Sequence, residues 1–111
     1  MFYVDRKKEL IKVKGFQVAP AELEDLLRRL SGVKDVAVIG VPDERSGEVP
    51  RAFVVKEDER LTEENVKNYV AAKLSRHKHL AGGVQFTADI PKSAAGKILR
   101  KQLKDSYLAK L

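Results

Sequence analysis

The chain contains no cysteine. That excludes disulfides, thiolate metal sites and a cysteine nucleophile. No apolar run approaches the length needed to cross a membrane, and no secretory leader is expected at the start. Internal repeats and low-complexity stretches are missing too. Aromatic residues are few, 6% of the chain. They are sparse among the basic residues, where a single-stranded nucleic-acid binder would place its stacking platforms.

What is present is an ordinary globular composition: 111 residues, 43% hydrophobic, formal net charge +6. This length fits one domain with its own core. Residues 1–14 hold five cations against two acids, a net of +3. Residues 92–111 hold six against one, a net of +5, which leaves −2 for the middle. A fold that brought the two ends together would make one basic face, attractive to a nucleotide, coenzyme A, nucleic acid or an anionic membrane.

Met1-Phe2-Tyr3-Val4 runs directly into Asp5-Arg6, as though the chain started inside a larger protein just before a linker. Ile11 and Val13 share one parity and Lys8, Lys12 and Lys14 the other, so a strand there puts three ammonium groups on one face and apolar groups on the other. Gly15 permits a tight turn and Phe16-Gln17-Val18 resumes as a second strand. Pro20 opens a helix with Glu22 and Glu24 in its early turns, a Leu23, Leu26, Leu27, Leu30 stripe and a Gly32 stop. Val36–Ile39 and Ala52–Val55 read as an antiparallel pair of strands joined by a turn from Pro42 to Gly47. Thr62 is an N-cap for a helix carrying Val66, Tyr69, Val70 and Leu74. Val84–Phe86 is a short strand after Gly82-Gly83. Ile98, Leu99, Gln102 and Leu103 predict a terminal helix with Arg100, Lys101 and Lys104 around its outside. The expected fold is α+β: an N-terminal β-hairpin plus a small mixed three-stranded sheet covered by three helices.

Between the last strand and that helix lies Ile90-Pro91-Lys92-Ser93-Ala94-Ala95-Gly96-Lys97. Small residues and a glycine make a loop able to present the Lys97 ammonium to a phosphate or a developing oxyanion. By spacing alone an exposed lysine at a helix start is the stronger reading of Lys97. A Walker-A assignment fails, because Ile98 stands where Ser or Thr is needed and the opening glycine is missing. His77-x-His79 lacks the third and fourth ligands that a zinc site wants, so these read as solvent-facing residues after a helix.

Three segments carry a family resemblance: Asp5 to Glu24; Gly40-Val41-Pro42-Asp43 with Gly47-Glu48-Val49-Pro50; and Ile90 to Arg100. Together they resemble the C-terminal domain of the adenylate-forming acyl-CoA synthetases, a superfamily that includes 4-coumarate-CoA ligases and beetle luciferases. Leu80 to Phe86 is more similar to the luciferase branch. The resemblance implies that residues 1–111 form a single lid domain. Residues 1–9 would be hinge and linker, with a large N-terminal adenylation domain upstream.

It also implies a mechanism: the lid closes over ATP and a small carboxylic acid, an acyl-adenylate forms, and the lid then rotates to support thioester formation with coenzyme A or luciferin oxidation. Mg would be bound mainly through ATP and the large domain. Residue by residue, Lys97 matches the adenylation lysine, Lys8 the hinge and Arg6 the ribose contact. Lys12 matches the lysine that meets the adenylate in the second conformation. Lys14 and Gly15 match the coenzyme A contact, and Gln17 a further contact to the adenylate. Ala95 departs from the family, which places Ser or Thr there to brace the loop. Alone, the chain is expected to be inactive. Ala109-Lys110-Leu111 resembles a peroxisomal address, which implies an import receptor as partner and a peroxisomal rather than cytoplasmic location. The competing reading is a small basic nucleic-acid-binding module; a third is a non-catalytic fragment kept for targeting or stability.

Overall fold

The N-terminal segment folds as its alternation predicts. In the computed structural model, which describes residues 10–74 and 78–109, Ile11–Val13 (β1) and Phe16–Val18 (β2) form an antiparallel hairpin. Its two turn residues both have positive φ, 51° at Lys14 and 88° at Gly15, the pattern that matches the twist of a two-residue hairpin. Lys14 is therefore a turn residue, not a strand residue sharing the Lys12 face.

Pro20–Arg28 (α1) follows, with proline at its first turn and Glu22 near the positive end of the helix dipole. Its buried stripe is Pro20, Leu23, Glu24 and Leu27, at the i, i+3, i+4, i+7 spacing. The expected stripe was purely leucine; Leu26 and Leu30 are only partly buried, and a glutamate occupies one of the core positions.

The central ribbon is much longer than its apolar runs suggest. Val33–Asp43 (β3) and Gly47–Lys56 (β4) pair antiparallel through almost their full length. Gly40 and Pro42, expected at or beside the turn, lie inside β3. The register explains how the prolines are tolerated. Gly40 faces Pro50, and Pro42 faces Glu48. Pro50 sends its carbonyl away from β3, to the Gly82 N–H at 2.8 Å, so its missing N–H is also directed away from that ladder. Pro42 has the same parity, and β3 is the edge strand, so its lost donor falls on the open side.

Glu63–Lys73 (α2) starts at Thr62, whose hydroxyl accepts the Asn65 N–H at 3.1 Å while Asn65 returns its side-chain oxygen to the Thr62 N–H. Val84–Phe86 (β5) pairs parallel with β4, and Arg100–Ala109 (α3) closes the described chain. The ribbon and β5 are the mixed three-stranded sheet that was expected. The hairpin is joined to it, through Val13 opposite Gly47, to give five strands in one sheet.

Alternation sorts the core into two layers. Val36, Val38, Ala52 and Val54 face α1 and α2 with Ile11, Val18, Leu23, Leu27, Val66 and Val70. Ala37, Ile39, Val41, Val49 and Phe53 face Ile90 and Leu103 on the α3 side. Both faces are covered, which is why these strands read as continuous apolar runs. Each fully buried aliphatic side chain contributes about 1.5–3 kcal/mol.

Gly82 lies where β5 begins its approach to β4. A Cβ there would sit 2.8 Å from the Pro50 carbonyl oxygen and 2.9 Å from Val41 Cγ2. Gly82→Ala is expected to destabilise the domain by about 1–3 kcal/mol, read as a lowered urea midpoint. An unchanged midpoint would mean the backbones are not in contact there.

Candidate functional site

The Lys97 segment is not the flexible loop its composition suggests. Lys92 and Ile98 form an antiparallel bridge, and the Leu99 N–H donates to the Pro91 carbonyl at 3.0 Å. Inside that stem, Ser93 N–H donates to Lys97 O at 2.9 Å and Gly96 N–H to Ser93 O at 2.9 Å. The Lys97 N–H donates to Ser93 Oγ at 3.3 Å. Gly96 takes φ 83°, in open space, to turn the chain back. A hydroxyl two residues before Ala95, that of Ser93, thus braces the turn. The Lys97 side chain is exposed and makes no ion pair with any described residue. A braced turn that projects an unpaired ammonium suits a negatively charged ligand.

Two ion pairs anchor this turn to the sheet. Lys92 Nζ lies 2.6 Å from Asp35 Oδ2 on β3. Arg100, the first residue of α3, forks onto Glu24, with Nε 3.0 Å from Oε2 and Nη2 2.5 Å from Oε1. Glu24 is only 2% exposed, and its Oε2 also accepts the Val38 N–H at 2.8 Å. Val38 shares the parity of Gly40 and Pro42, so this N–H faces the open side of β3. One carboxylate thus closes the sheet edge and receives the guanidinium that begins α3. Arg100 is therefore not on the outside of its helix, and Glu24 is not merely an acid near a dipole. A charged residue at a core position of the α1 stripe was the signal available in the sequence.

Lys12 stands on β1 opposite Gln17, and both side chains are exposed on the same hairpin face. The opposite face sends Ile11, Val13 and Val18 into the core. Lys14 and Gly15 form the exposed tip, with nothing within 4 Å of where a Gly15 Cβ would be. Beside them, Phe16 is 57% exposed. The side chains of Lys12 and Lys14 make no ion pair with any described residue. Arg6, Lys8, His77, Lys110 and Leu111 lie outside the described residues, while Ala109 ends α3. His79 engages the Leu74 carbonyl at 3.2 Å rather than solvent alone. Among the described residues no group of three metal-ligating side chains occurs.

The two exposed lysines belong to opposite ends of the ribbon. The Lys97 turn is tied to Asp35, while Val13 of the hairpin pairs with Gly47, itself opposite Asp43. From Asp35 to Asp43 is eight residues of strand, about 26 Å at the usual rise. Three cations of the basic C-terminal segment are neutralised on the way, Lys92 by Asp35, Arg100 by Glu24 and Lys104 by Glu48. Among the described residues, the hairpin lysines and the Lys97 turn lie at opposite ends of the ribbon rather than on one shared basic face.

Residues 22–97 match the family described as the AMP-binding enzyme C-terminal domain. The chain is 52% identical to a phenylacetyl-CoA ligase of Aspergillus niger over 111 residues, 99% of this chain and 21% of that one. It is 53% identical to a probable 4-coumarate–CoA ligase of Dictyostelium discoideum, covering 99% and 20%. Its fold is similar to that of the o-succinylbenzoate CoA synthetase of Bacillus subtilis, solved in complex with its acyl-adenylate intermediate. There the TM-score is 0.83, with 30% identity over 89% of this chain and 20% of that one. The chain spans about a fifth of the length of the curated relatives it matches.

Removing Arg100 strands a buried carboxylate, whereas removing the charge of Glu24 leaves a guanidinium with some access to water. Arg100→Ala is expected to cost about 3–5 kcal/mol, and Glu24→Gln, which keeps an acceptor for Val38, about 1–3 kcal/mol. Urea denaturation of both variants checks the order; a larger loss for Glu24→Gln would reverse the assignment.

Proposed function

Because the chain belongs to the family of C-terminal domains of AMP-binding enzymes, we propose that it is the mobile lid of an ATP-dependent acyl-CoA synthetase. The observation that carries this reading is the placement of Lys97 and Lys12, both exposed and without an ion pair among the described residues, at opposite ends of the β3–β4 ribbon. A single body with an exposed lysine at each end can serve two steps by turning.

In the first step a carboxylate oxygen attacks the α-phosphorus of ATP and pyrophosphate leaves. Charge accumulates on the carboxylate and α-phosphate oxygens, and the Lys97 ammonium neutralises it there. Its turn is braced by Ser93, so little reorganisation accompanies the reaction. In the second step the thiol of coenzyme A attacks the acyl carbon and AMP leaves. Lys12, with Gln17 beside it, meets the adenylate, and the open backbone at Lys14 and Gly15 lets the pantetheine chain pass. Arg6 meets the ribose and Lys8 is the hinge. The donor set fits this assignment: Lys12 and Lys97 have no ion pair, and no cluster of metal-ligating side chains occurs, among the described residues, so Mg would come with ATP and the large domain. Both curated relatives are CoA ligases, which favours thioester formation over the luciferase alternative. No specific observation favours nucleic-acid binding, and the paired cations of α3 count against it. Ala109-Lys110-Leu111 is read as a peroxisomal address. Deleting it from the full-length protein is expected to leave that protein in the cytosol, and import without it would refute the address.

In the full-length enzyme Lys97→Ala is expected to slow adenylate formation by about 10²–10³ and to spare thioester formation from supplied acyl-adenylate. Lys12→Ala is expected to do the reverse. Pyrophosphate release and thioester formation, measured separately, decide it; equal damage to both steps from each variant would defeat the two-ended assignment. The 111-residue chain alone is expected to release no pyrophosphate, and to do so only when a matching N-terminal domain is added.

A further inference from the structure

Glu48 belongs to neither lysine segment, yet it touches both sides of the fold. Its Oε1 accepts the backbone N–H of Lys12 at 3.1 Å, and its Oε2 receives Lys104 Nζ at 3.1 Å. The carboxylate crosses Gly40 of β3. A Cβ on Gly40 would lie 3.3 Å from the Glu48 Cδ and 3.1 Å from two carbons of Ile11. A glycine at this point of the strand thus leaves the passage through which β1 and Glu48 meet.

Lys12 uses this contact because the backbone pairing of β1 with β4 is short, although Ile11 and Val13 pack into the core. Its register with β4 is one residue pair, Val13 opposite Gly47. The Lys14 N–H adds a bond to the Ser46 carbonyl at 2.8 Å, on the turn side of that pair. On the other side, where Lys12 sits, the Glu48 carboxylate supplies the acceptor that β4 backbone does not. Lys104 neutralises the same carboxylate from α3, one helical turn beyond Arg100, so Glu48 is held from two directions.

We propose that Glu48 is the positioning residue for Lys12: it fixes the backbone from which the Lys12 ammonium reaches the acyl-adenylate, and so controls the thioester-forming step. The proposal rests on the reading of Lys12 given above. Glu48 touches no reacting atom in this scheme. It acts through the register of β1, and a small displacement of a reacting group is enough to cost on the order of 10²-fold in rate.

The test uses the full-length enzyme and follows thioester formation from supplied acyl-adenylate and coenzyme A, alongside pyrophosphate release. Glu48→Ala is expected to slow the thioester step by on the order of 10–100-fold and to leave adenylate formation within about twofold. Glu48→Gln, which keeps an acceptor for the Lys12 N–H, is expected to recover most of that loss. Gly40→Ala, which presses on Glu48 and Ile11, is expected to reproduce the selective defect of Glu48→Ala. In a Lys12→Ala background, Glu48→Ala is expected to add nothing further to the thioester step. A merely structural role would instead lower both half-reactions together, or add its full effect to that of Lys12→Ala; either result overturns the proposal. If Lys12→Ala slows thioester formation and Glu48→Ala does not, the positioning role fails while the reading of Lys12 stands. If Lys12→Ala leaves that step unchanged, both fall.

Discussion

One carboxylate holds the domain's layers in register. Glu24 enters the core on α1, takes the backbone N–H of Val38 from the open side of the edge strand and receives Arg100 from α3. An unpaired carboxylate at 2% exposure would be strongly unfavourable, and so would an unsatisfied buried N–H. Neither cost is incurred while all three groups stay together. The arrangement adds less to net stability than its three short contacts suggest, because desolvation offsets much of the Coulomb gain. What it supplies is specificity: α3 has one place to start, and the chain before it has one place to end.

That constraint explains how a loop of small residues presents a lysine firmly. Ser93-Ala94-Ala95-Gly96 has little side-chain bulk with which to pack. Its order comes from the stem, held by Lys92 on Asp35 at one foot and by Arg100 on Glu24 at the other. The hairpin at the far end is built on different terms. Its positive-φ turn is local, but its attachment to the sheet is one residue pair and the Glu48 carboxylate. The two ends therefore differ in how they are held: the Lys97 turn by two ion pairs, and the Lys12 hairpin by its buried Ile11, Val13 and Val18 with a short backbone pairing.

Features governed by local rules were legible in the sequence. Pro20, the Thr62 cap, the turn at Gly15 and the alternation around Lys12 each act within a few residues of themselves. Features that depend on distant partners were not. Pro42, Pro50 and Gly40 look like strand breakers until the register shows the prolines turning their missing donors away from the ladder and the glycine sitting under Glu48. Arg100 looked like an exposed cation because its partner is 76 residues away. Ser93 was hidden behind the more conspicuous substitution at Ala95. Glu24 did leave a trace, as a charge on an otherwise apolar helical stripe, the kind of local inconsistency that marks a tertiary demand. Arg6, matched to the ribose contact, and Lys8, matched to the hinge, lie outside the described residues, so for them the resemblance alone speaks.

Charge pairing bears on function as much as on folding. The C-terminal segment carries six cations against one acid, yet acids from the middle of the chain neutralise three of them in place. A phosphate approaching this surface therefore does not meet a diffuse basic belt that would hold it anywhere. Pairing Lys92, Arg100 and Lys104 removes three of the cations that flank the Lys97 turn and line α3, and leaves Lys101 exposed. Among the described residues Lys97 and Lys12 keep exposed ammonium groups with no ion pair. On the proposed reading this matters to turnover, because an intermediate held too well at one lysine could not be released to the other.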